Sequence, residues 1–395
     1  MKRLLSTVLC AVLLFTLAGS SLAFGEDRYR IGIVTGSADQ SQDDLRGAEA
    51  FQARFGSDRV ILRNYPDSFT TEREETVRII TELAEDPLMR AIIVNQAVPG
   101  TAEAFQLVKE RHPGILCFAG QSHEDLNSIG EKADLVIKSD FISRGYLLIH
   151  TAHELGCDTF VHISFPRHLA SESMGRRNRI MRAACEEFGM TFVDETAPDP
   201  TISGTADAQS FIMLAAPEWI RKYGQNAAYF CTNDAHTEPM IRQLLTYGGY
   251  YIEPDLPSPL KGYPQALGLD LSSLDGDFLK IQSTIEQAIC AQGGAGRFGT
   301  WTYSFGYSLS AGLAQHACNV IEGKSQVRSL DDVLSALQEF APGAKWNGSK
   351  FTNAETGEKR ENVILLYQDT YIMGNPGHYM GAAEIKVPER YYTIK

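Results

Sequence analysis

Polar side chains that could recognise a small molecule follow several short apolar runs of this chain. Amides and hydroxyls donate and accept hydrogen bonds, carboxylates accept them, a guanidinium can grip a carboxylate or phosphate, and aromatic rings can stack. In chain order the candidates are Thr35, Ser37, Asn95, Gln96, Gln121, Asp140, Phe165, Arg167, His168, Asn233, Asp234, Asp270, Trp301 and Tyr303. Side chains of these types predict a small polar ligand, such as a sugar, nucleoside, amino acid or carboxylate, and Arg167 favours an anionic group.

Several of these candidates also fit ordinary structural roles. Asn233 and Asp234 could cap the next helix or form a turn. Arg167 could pair with an acidic neighbour, and Trp301 could pack in the core. The sequence leaves these alternatives open.

Motifs for other chemistry do not fit their surroundings. Residues 294–299 match GxGxxG but follow a helix rather than a strand, so we expect no dinucleotide cofactor. His150, His153 and Cys157 have helical spacing, but no adjacent residue supplies a fourth ligand, so we expect no metal site. The hydrolase, zinc-protease and P-loop motifs are absent from the sequence.

The elements that must position the candidates alternate between strand and helix. Apolar runs predict strands at residues 29–36, 60–65, 90–96, 115–120, 133–138, 159–164, 191–194, 227–233, 250–252 and 266–270. Intervening amphipathic helices make these βαβ units of parallel sheets. Ligands bind at the carboxyl ends of such strands, which selects the candidate residues other than Trp301 and Tyr303. Those two lie on an aromatic connector at 298–304 that is expected to act as a hinge. The Arg-Arg-Asn-Arg run at 176–179 is interpreted as a solvated helix face.

The length, charge and first residues predict an exported globular protein. The 395 residues carry a formal net charge of −13, which argues against a nucleic-acid partner. A basic start, an uncharged run from Leu4 to Ala18 and small residues before position 24 predict a cleaved signal peptide over 1–23. We therefore expect a periplasmic or extracellular location. Cys117 and Cys231 lie in apolar runs and should be buried.

Two parallel-sheet lobes in an exported chain resemble the type I periplasmic binding proteins, over everything after Gly25. The segments 164–168, 232–239 and 304–308 are similar to the DUF3798 family of exported, binding-protein-like proteins. The resemblance implies an α/β fold of two Rossmann-like lobes joined by a multi-strand hinge. Lobe 1 would comprise residues 26–142 and 302–342, lobe 2 residues 143–301, and residues 343–395 would return across the hinge. The resemblance brings no ligand with it.

The leading functional hypothesis is a solute-binding protein rather than an enzyme. It would close on its ligand by hinge motion and deliver it to a membrane transporter or sensor. Removing Arg167 or Asn95 should then weaken binding. Two alternatives stay open, namely an exported hydrolase that uses His168 or His236 and a ligandless interaction module.

Overall fold

The computed structural model describes residues 29–274 and 276–395, so the predicted signal peptide lies outside the described residues. The strands are β1 Arg30–Thr35, β2 Val60–Asn64, β3 Met89–Asn95, β4 Leu116–Gly120, β5 Leu135–Ser139, β6 Thr159–Ser164, β7 Thr191–Thr196, β8 Ala227–Cys231, β9 Tyr250–Tyr251, β10 Gly299–Thr300, β11 Trp346–Thr352, β12 Lys359–Gln368 and β13 Tyr371–Ile372. The α-helices are α1 Ala38–Phe55, α2 Arg73–Ala84, α3 Thr101–Arg111, α4 Leu126–Gly130, α5 Phe141–Glu154, α6 Pro166–Leu169, α7 Glu172–Phe188, α8 Pro200–Ser203, α9 Thr205–Tyr223, α10 Thr237–Tyr247, α11 Tyr263–Leu267, α12 Phe278–Ala291, α13 Phe305–Ile321 and α14 Leu330–Gln338.

The strands of lobe 1 form a seven-stranded sheet in the order β11-β12-β5-β4-β3-β1-β2. Every neighbouring pair is parallel except β11 and β12. Ile33 of β1 stands beside Leu62 on one side and Ile93 on the other. Helices cover both faces of a parallel sheet, which is why its central strands are almost wholly apolar. The predicted α/β class is confirmed.

Lobe 2 is built on a parallel four-stranded sheet in the order β7-β6-β8-β9. The strand expected at 266–270 is wrong, because its first residues belong to the short helix α11. Gly262 precedes that helix with a φ of +76°, and Pro264 lies in its first turn. A short apolar run fits the residue spacing of a helix as well as that of a strand, so the flanking Gly and Pro decide its conformation.

The two lobes are connected through a small antiparallel sheet of β10 and β13. Residues 343–395, expected to return across the hinge, first add β11 and β12 to the lobe 1 sheet and then supply β13. The last residues, 389–395, pack against α5 and α7.

The run at 176–179 is not a solvated face, and that interpretation is wrong. Arg176 is fully buried and donates to the carbonyl oxygens of Ile394 and Tyr392, each at 2.7 Å. Arg177 is also buried and pairs with Asp255 of the segment that follows β9. The end of the chain and the segment around Asp255, both distant in sequence, cover this helix, so its local composition could not show the burial.

The described cysteines are all free thiols, and Cys117 and Cys231 are buried as predicted. In residues 29–274 and 276–395, none of the helices is both long and apolar enough to cross a bilayer.

Candidate ligand-binding cleft

A cavity of about 640 Å³ lies between the two lobes. Lobe 1 lines it with the first turns of α1 and α13 and with residues that follow β2, β3 and β4. Lobe 2 lines it with residues of α9 and α10, with Asp234 after β8 and with the segment 256–265. Carboxyl ends of parallel strands meet helix N-termini there, the position at which α/β proteins bind ligands. Its volume lies in the range of small-molecule sites.

A hydrogen-bonded chain of Asp44, Gln96 and His123 forms part of the lobe 1 wall. The Nε2 of Gln96 donates to Oδ2 of Asp44 at 2.9 Å. The other amide atom of Gln96, Oε1, is an acceptor only, so His123 donates to it from Nε2 at 3.1 Å. Gln96 holds a φ of +63°, a backbone conformation that non-glycine residues adopt mainly where the surroundings impose it.

Burial sets the charge states of this chain. Desolvation raises the pKa of Asp44 to about 6, Asp43 adds to the rise, and the Gln96 hydrogen bond, the charge of Lys261 and a backbone hydrogen bond oppose it. Desolvation lowers the pKa of His123 to about 4, with a smaller contribution from Lys138, although the ring is exposed to the cavity. His123 is therefore neutral near pH 7, whereas Asp44 is close to its titration range.

Aromatic rings stand beside these polar groups. The rings of Tyr65 and Phe69 meet edge to face with centroids 5.7 Å apart. Phe69 in turn contacts the His123 ring edge to face at 5.9 Å. This arrangement gives the cavity an apolar face against which a ligand ring or carbon skeleton can pack.

The lobe 2 wall carries its own charges. Lys261 Nζ lies 2.8 Å from Oδ2 of Asp234. The carboxylates of Asp234, Asp43 and Asp44 hold the pKa of Lys261 above its usual range despite desolvation. Glu238 accepts a hydrogen bond from Arg242 at 2.9 Å.

Asp43 connects lobe 1 to the segment that enters the cleft. Its Oδ2 accepts hydrogen bonds from Ser304, which caps α13, and from Ser258 at 3.2 Å. Asp43, Ser304 and the segment that contains Ser258 thus form a hydrogen-bonded contact beside the cavity.

Two of the sequence-predicted residues, Gln96 and Asp234, line this cavity. Several others are occupied by local structure. Asn95 donates from Nδ2 to Ser310 Oγ at 2.5 Å, beneath α13. Asp140 caps α5, with 2.7 Å between its Oδ1 and the Ser143 nitrogen, and Asn233 caps the short turn at 234–236.

Hydrogen bonds also engage other candidates near the strand ends. Thr35 accepts from Asn64 at 3.3 Å, Ser37 donates to Asp67 at 2.7 Å, and Gln121 accepts from the Ser139 nitrogen at 2.9 Å. None of the three is part of the cavity lining. Ligand contact for them stays a prediction.

Arg167 makes the ion pair that was its structural alternative. Its guanidinium binds both carboxyl oxygens of Asp199, at 2.6 and 2.9 Å, and lies over the ring of Phe165. Phe165 is buried and stacks on His168 with ring centroids 4.0 Å apart.

The remaining candidates lie at the hinge or on the surface. Trp301 is fully buried beneath the Arg144 guanidinium, and the Tyr303 hydroxyl donates to the Pro342 carbonyl at 3.0 Å. Asp270 is exposed in a turn where it accepts from the Ser272 nitrogen, and the strand that placed it at the cleft is absent from the described structure.

The histidines considered for hydrolysis are held inside lobe 2. The Nδ1 of His168 lies 3.2 Å from the Thr232 hydroxyl, which lies 2.9 Å from that of Ser164. Both hydroxyl residues are buried. His236 is buried as well, with Nε2 3.0 Å from the Pro198 carbonyl oxygen. None of these residues lines the cavity.

Sequence reasoning missed most of the cavity lining. Asp43 and Asp44 lie in the second turn of α1, and Tyr65 and Phe69 follow β2. These positions also follow strands of the sheet. Taking as candidates the residues up to two helical turns beyond each strand end, rather than the first few, would have found them. Lys261 belongs to an irregular Pro-rich segment and carries no such signal.

The comparisons with known proteins agree with this geometry. The model of the family described as "Protein of unknown function (DUF3798)" matches residues 29–299, more than half of the chain. The chain belongs to the DUF3798 family. A second family model matches residues 310–394. An uncharacterised protein of Treponema pallidum (strain Nichols) is 39% identical over 211 residues, 53% of this chain and 95% of its own length. A second uncharacterised protein of the same organism is 36% identical over 178 residues, which is 44% of this chain and 80% of its own length.

Solved structures similar to this DUF3798 protein share its fold. A Clostridium difficile 630 protein, described provisionally as a transcriptional regulator, has a TM-score of 0.78 at 20% identity, over 88% of this chain and 99% of its own. A sugar transport substrate-binding protein from Bordetella parapertussis 12822 has a TM-score of 0.51 at 9% identity, over 93% and 94%. A periplasmic ribose ABC transporter protein from Conexibacter woesei DSM 14684 has a TM-score of 0.50 at 12% identity, over 87% of this chain and 92% of its own. The predicted two-lobe periplasmic binding protein fold is confirmed.

Proposed function

We propose that this DUF3798 protein is an exported solute-binding protein that captures a small polar molecule between its lobes. The observation that carries the proposal is the 640 Å³ cavity lined by polar side chains from both lobes. A ligand that contacts both walls favours the closed arrangement over the open one, which is the requirement for a ligand-driven hinge. Delivery to a membrane transporter or sensor is part of the proposal.

The fold comparisons support this function without naming the ligand. Two of the structurally similar proteins are a sugar substrate-binding protein and a periplasmic ribose transporter protein. The polar side chains along the cavity can form hydrogen bonds to a small polar compound that fits its volume.

Thermal unfolding with a panel of candidate solutes tests the proposal. A ligand at about 100 times its Kd should stabilise the native state by about 2.7 kcal/mol, a shift of a few degrees. A rise in Tm without turnover of the compound supports binding. No shift with any compound, for protein refolded to remove carried-over ligand, would contradict it.

Substitution of Gln96 tests whether the cavity is where binding occurs. Gln96→Asn keeps an amide that tolerates the left-handed backbone but shortens its reach to Asp44 and His123. We expect at least about tenfold weaker binding, roughly 1.4 kcal/mol. Gln106→Asn, on the exposed face of α3, is the matched control and should bind like the wild type.

A further inference from the structure

The wall of the cleft carries more carboxylates than cations. The acidic residues that line it are Asp39, Asp43, Asp44, Asp234 and Glu238. Among the described residues that line it, Lys261 is the one permanent cation, since His123 is neutral near pH 7. The excess of carboxylates argues for a positively charged or strongly donating ligand.

Two helix N-termini oppose this excess but do not cancel it. The first turns of α1 and α13 both face the cavity. Each N-terminus acts as about half a positive charge and by itself attracts an anion. Together with Lys261 they supply about two positive charges against five carboxylates, one of which, Glu238, is paired with Arg242. The wall therefore stays negative.

Lys261 is not available to bind an anionic ligand. Its ammonium already lies 2.8 Å from Asp234, and Asp43 and Asp44 also stabilise its charge. An anion would have to displace Asp234 and approach the remaining carboxylates. An ammonium group can approach the carboxylates without displacing one of them, and among the described residues that line the cavity Lys261 is the one cation that repels it.

Two cavity carboxylates each keep one oxygen without a hydrogen-bond donor. In the described residues, Oδ1 of Asp44 and Oδ1 of Asp234 have no partner. Asp44 is only 4% exposed, so its carboxylate is largely deprived of water, and Lys261 is the cation that acts on it. A buried charge of this kind is costly unless something pairs with it. The two residues belong to opposite lobes.

The aromatic face completes the chemistry. Tyr65 and Phe69 lie along the same cavity as Asp44. Carboxylates combined with aromatic rings are a favourable setting for an organic ammonium, through ion pairing and cation–π attraction.

We propose that the ligand of the cleft is a small organic amine, whose ammonium group pairs with Asp44 and Asp234 and whose apolar part packs against Tyr65 and Phe69. This inference rests on the proposed function, because it assumes that the cavity holds a ligand. It replaces the anionic preference suggested by Arg167, whose guanidinium is bound to Asp199 outside the cavity lining.

Matched triples of probes separate charge from shape. Each triple has a cationic, a neutral and an anionic member on one skeleton: glucosamine, glucose and glucuronate; putrescine, butane-1,4-diol and succinate; tryptamine, indole-3-ethanol and indole-3-acetate. Isothermal titration of the refolded full chain measures affinity for all nine. The same preparation before refolding is denatured, and released small molecules are identified by mass spectrometry.

The expected result is at least tenfold tighter binding of the cationic member in one triple, or release of an amine on denaturation. Tighter binding of a neutral or anionic member, or release of only such compounds, would overturn the amine inference and leave solute binding standing. No binding in any triple together with no released compound would overturn both proposals.

Charge-removing variants locate the binding of the amine. Asp44→Asn and Asp234→Asn should each weaken binding of the cationic probe at least tenfold and reduce its advantage over the neutral member. Asp331→Asn, an exposed aspartate in the first turn of α14, should change neither quantity. Unchanged affinity in both cleft variants, with native folding confirmed by circular dichroism, would contradict the assignment of the ammonium site.

Discussion

Asp44 is the residue on which the chemistry of the cleft depends most. Its carboxyl group is buried, accepts one hydrogen bond from Gln96 and has a pKa raised to about 6 by desolvation. Such a group destabilises the unliganded protein. Proteins keep unfavourable groups of this kind chiefly at functional sites, where a ligand compensates for them.

The raised pKa of Asp44 predicts a pH-dependent cost. Because the native pKa of about 6 exceeds the ordinary value of 3.8, the native state holds this proton more tightly than the unfolded chain. The contribution of Asp44 to stability is therefore greatest below pH 4 and is lost as pH rises through 6. Asp43 adds to the shift, whereas Gln96 and Lys261 oppose it.

Asp44→Asn should remove this cost. We expect the unliganded variant to be more stable than the wild type at pH 7.5, by roughly 3 kcal/mol at most, from a shift of about two pKa units. The advantage should vanish near pH 4. Measuring the Tm of both proteins from pH 4 to 7.5 checks this prediction. The difference in Tm between variant and wild type at each pH cancels the titration of His123, which both proteins share. Lower stability of the variant at pH 7.5 would mean that Asp44 is structural.

Arg167 follows β6, forms an ion pair with Asp199 and does not line the cavity. Its bidentate bond to Asp199 holds the pKa of that carboxyl below its usual range and fixes the residue that caps α8. Arg167→Ala should lower Tm by a few degrees and leave ligand affinity within twofold, as measured by thermal unfolding and titration. A tenfold loss of affinity would restore the ligand contact predicted from sequence.

The sequence predicted cavity-lining residues only close to the carboxyl ends of predicted strands. Gln96 follows β3 directly and Asp234 follows β8 after two residues, and both were found because ligands bind at the carboxyl ends of parallel strands. Asn95 also ends a strand, and Trp301 lies on the predicted hinge connector, yet the structure packs Asn95 beneath α13 and Trp301 beneath Arg144. Which side of a strand end faces the other lobe depends on tertiary packing, which a local pattern does not contain.

At the scale of elements, the buried side chain of Arg176 attaches the end of the chain to lobe 2. The Arg176 guanidinium, on α7, donates to backbone carbonyls of Tyr392 and Ile394. Glu187 of the same helix bonds to Arg390 and Tyr391. Residues 389–395 are thereby held across α7, although β12, which precedes them, belongs to the lobe 1 sheet.

Arg176→Met should release this segment. Loss of a buried donor leaves carbonyl oxygens unpaired, and each unpaired buried group costs about 1–3 kcal/mol. We expect a lower Tm and faster proteolytic removal of residues 389–395. Arg221→Met, at an exposed position on α9 paired with Glu218, is the control. Equal proteolysis of both variants would show that the segment is held by other contacts.

Elements with strong periodicity were predicted closely, and a short ambiguous one was not. The expected strand at 159–164 coincides with β6, and the strand expected at 115–120 coincides with β4 to within one residue. The run at 266–270 instead starts within α11, since too few residues define its period.

The whole molecule is arranged so that one cavity belongs to both lobes. Lobe 1 supplies Asp44, Gln96 and the aromatic face, and lobe 2 supplies Asp234 and Lys261. The Asp43 contacts to Ser258 and Ser304 lie beside that cavity. A ligand that pairs with both walls adds its own contacts to those that hold the lobes together, which links binding to closure.

Hydrogen–deuterium exchange with and without the compound that binds tightest in the matched triples tests the central claim most directly. Binding between the lobes should slow exchange at once in residues 38–44 of lobe 1 and 256–265 of lobe 2, while α14 exchanges unchanged. Protection confined to one lobe, or located away from both segments, would contradict a ligand held in the cleft.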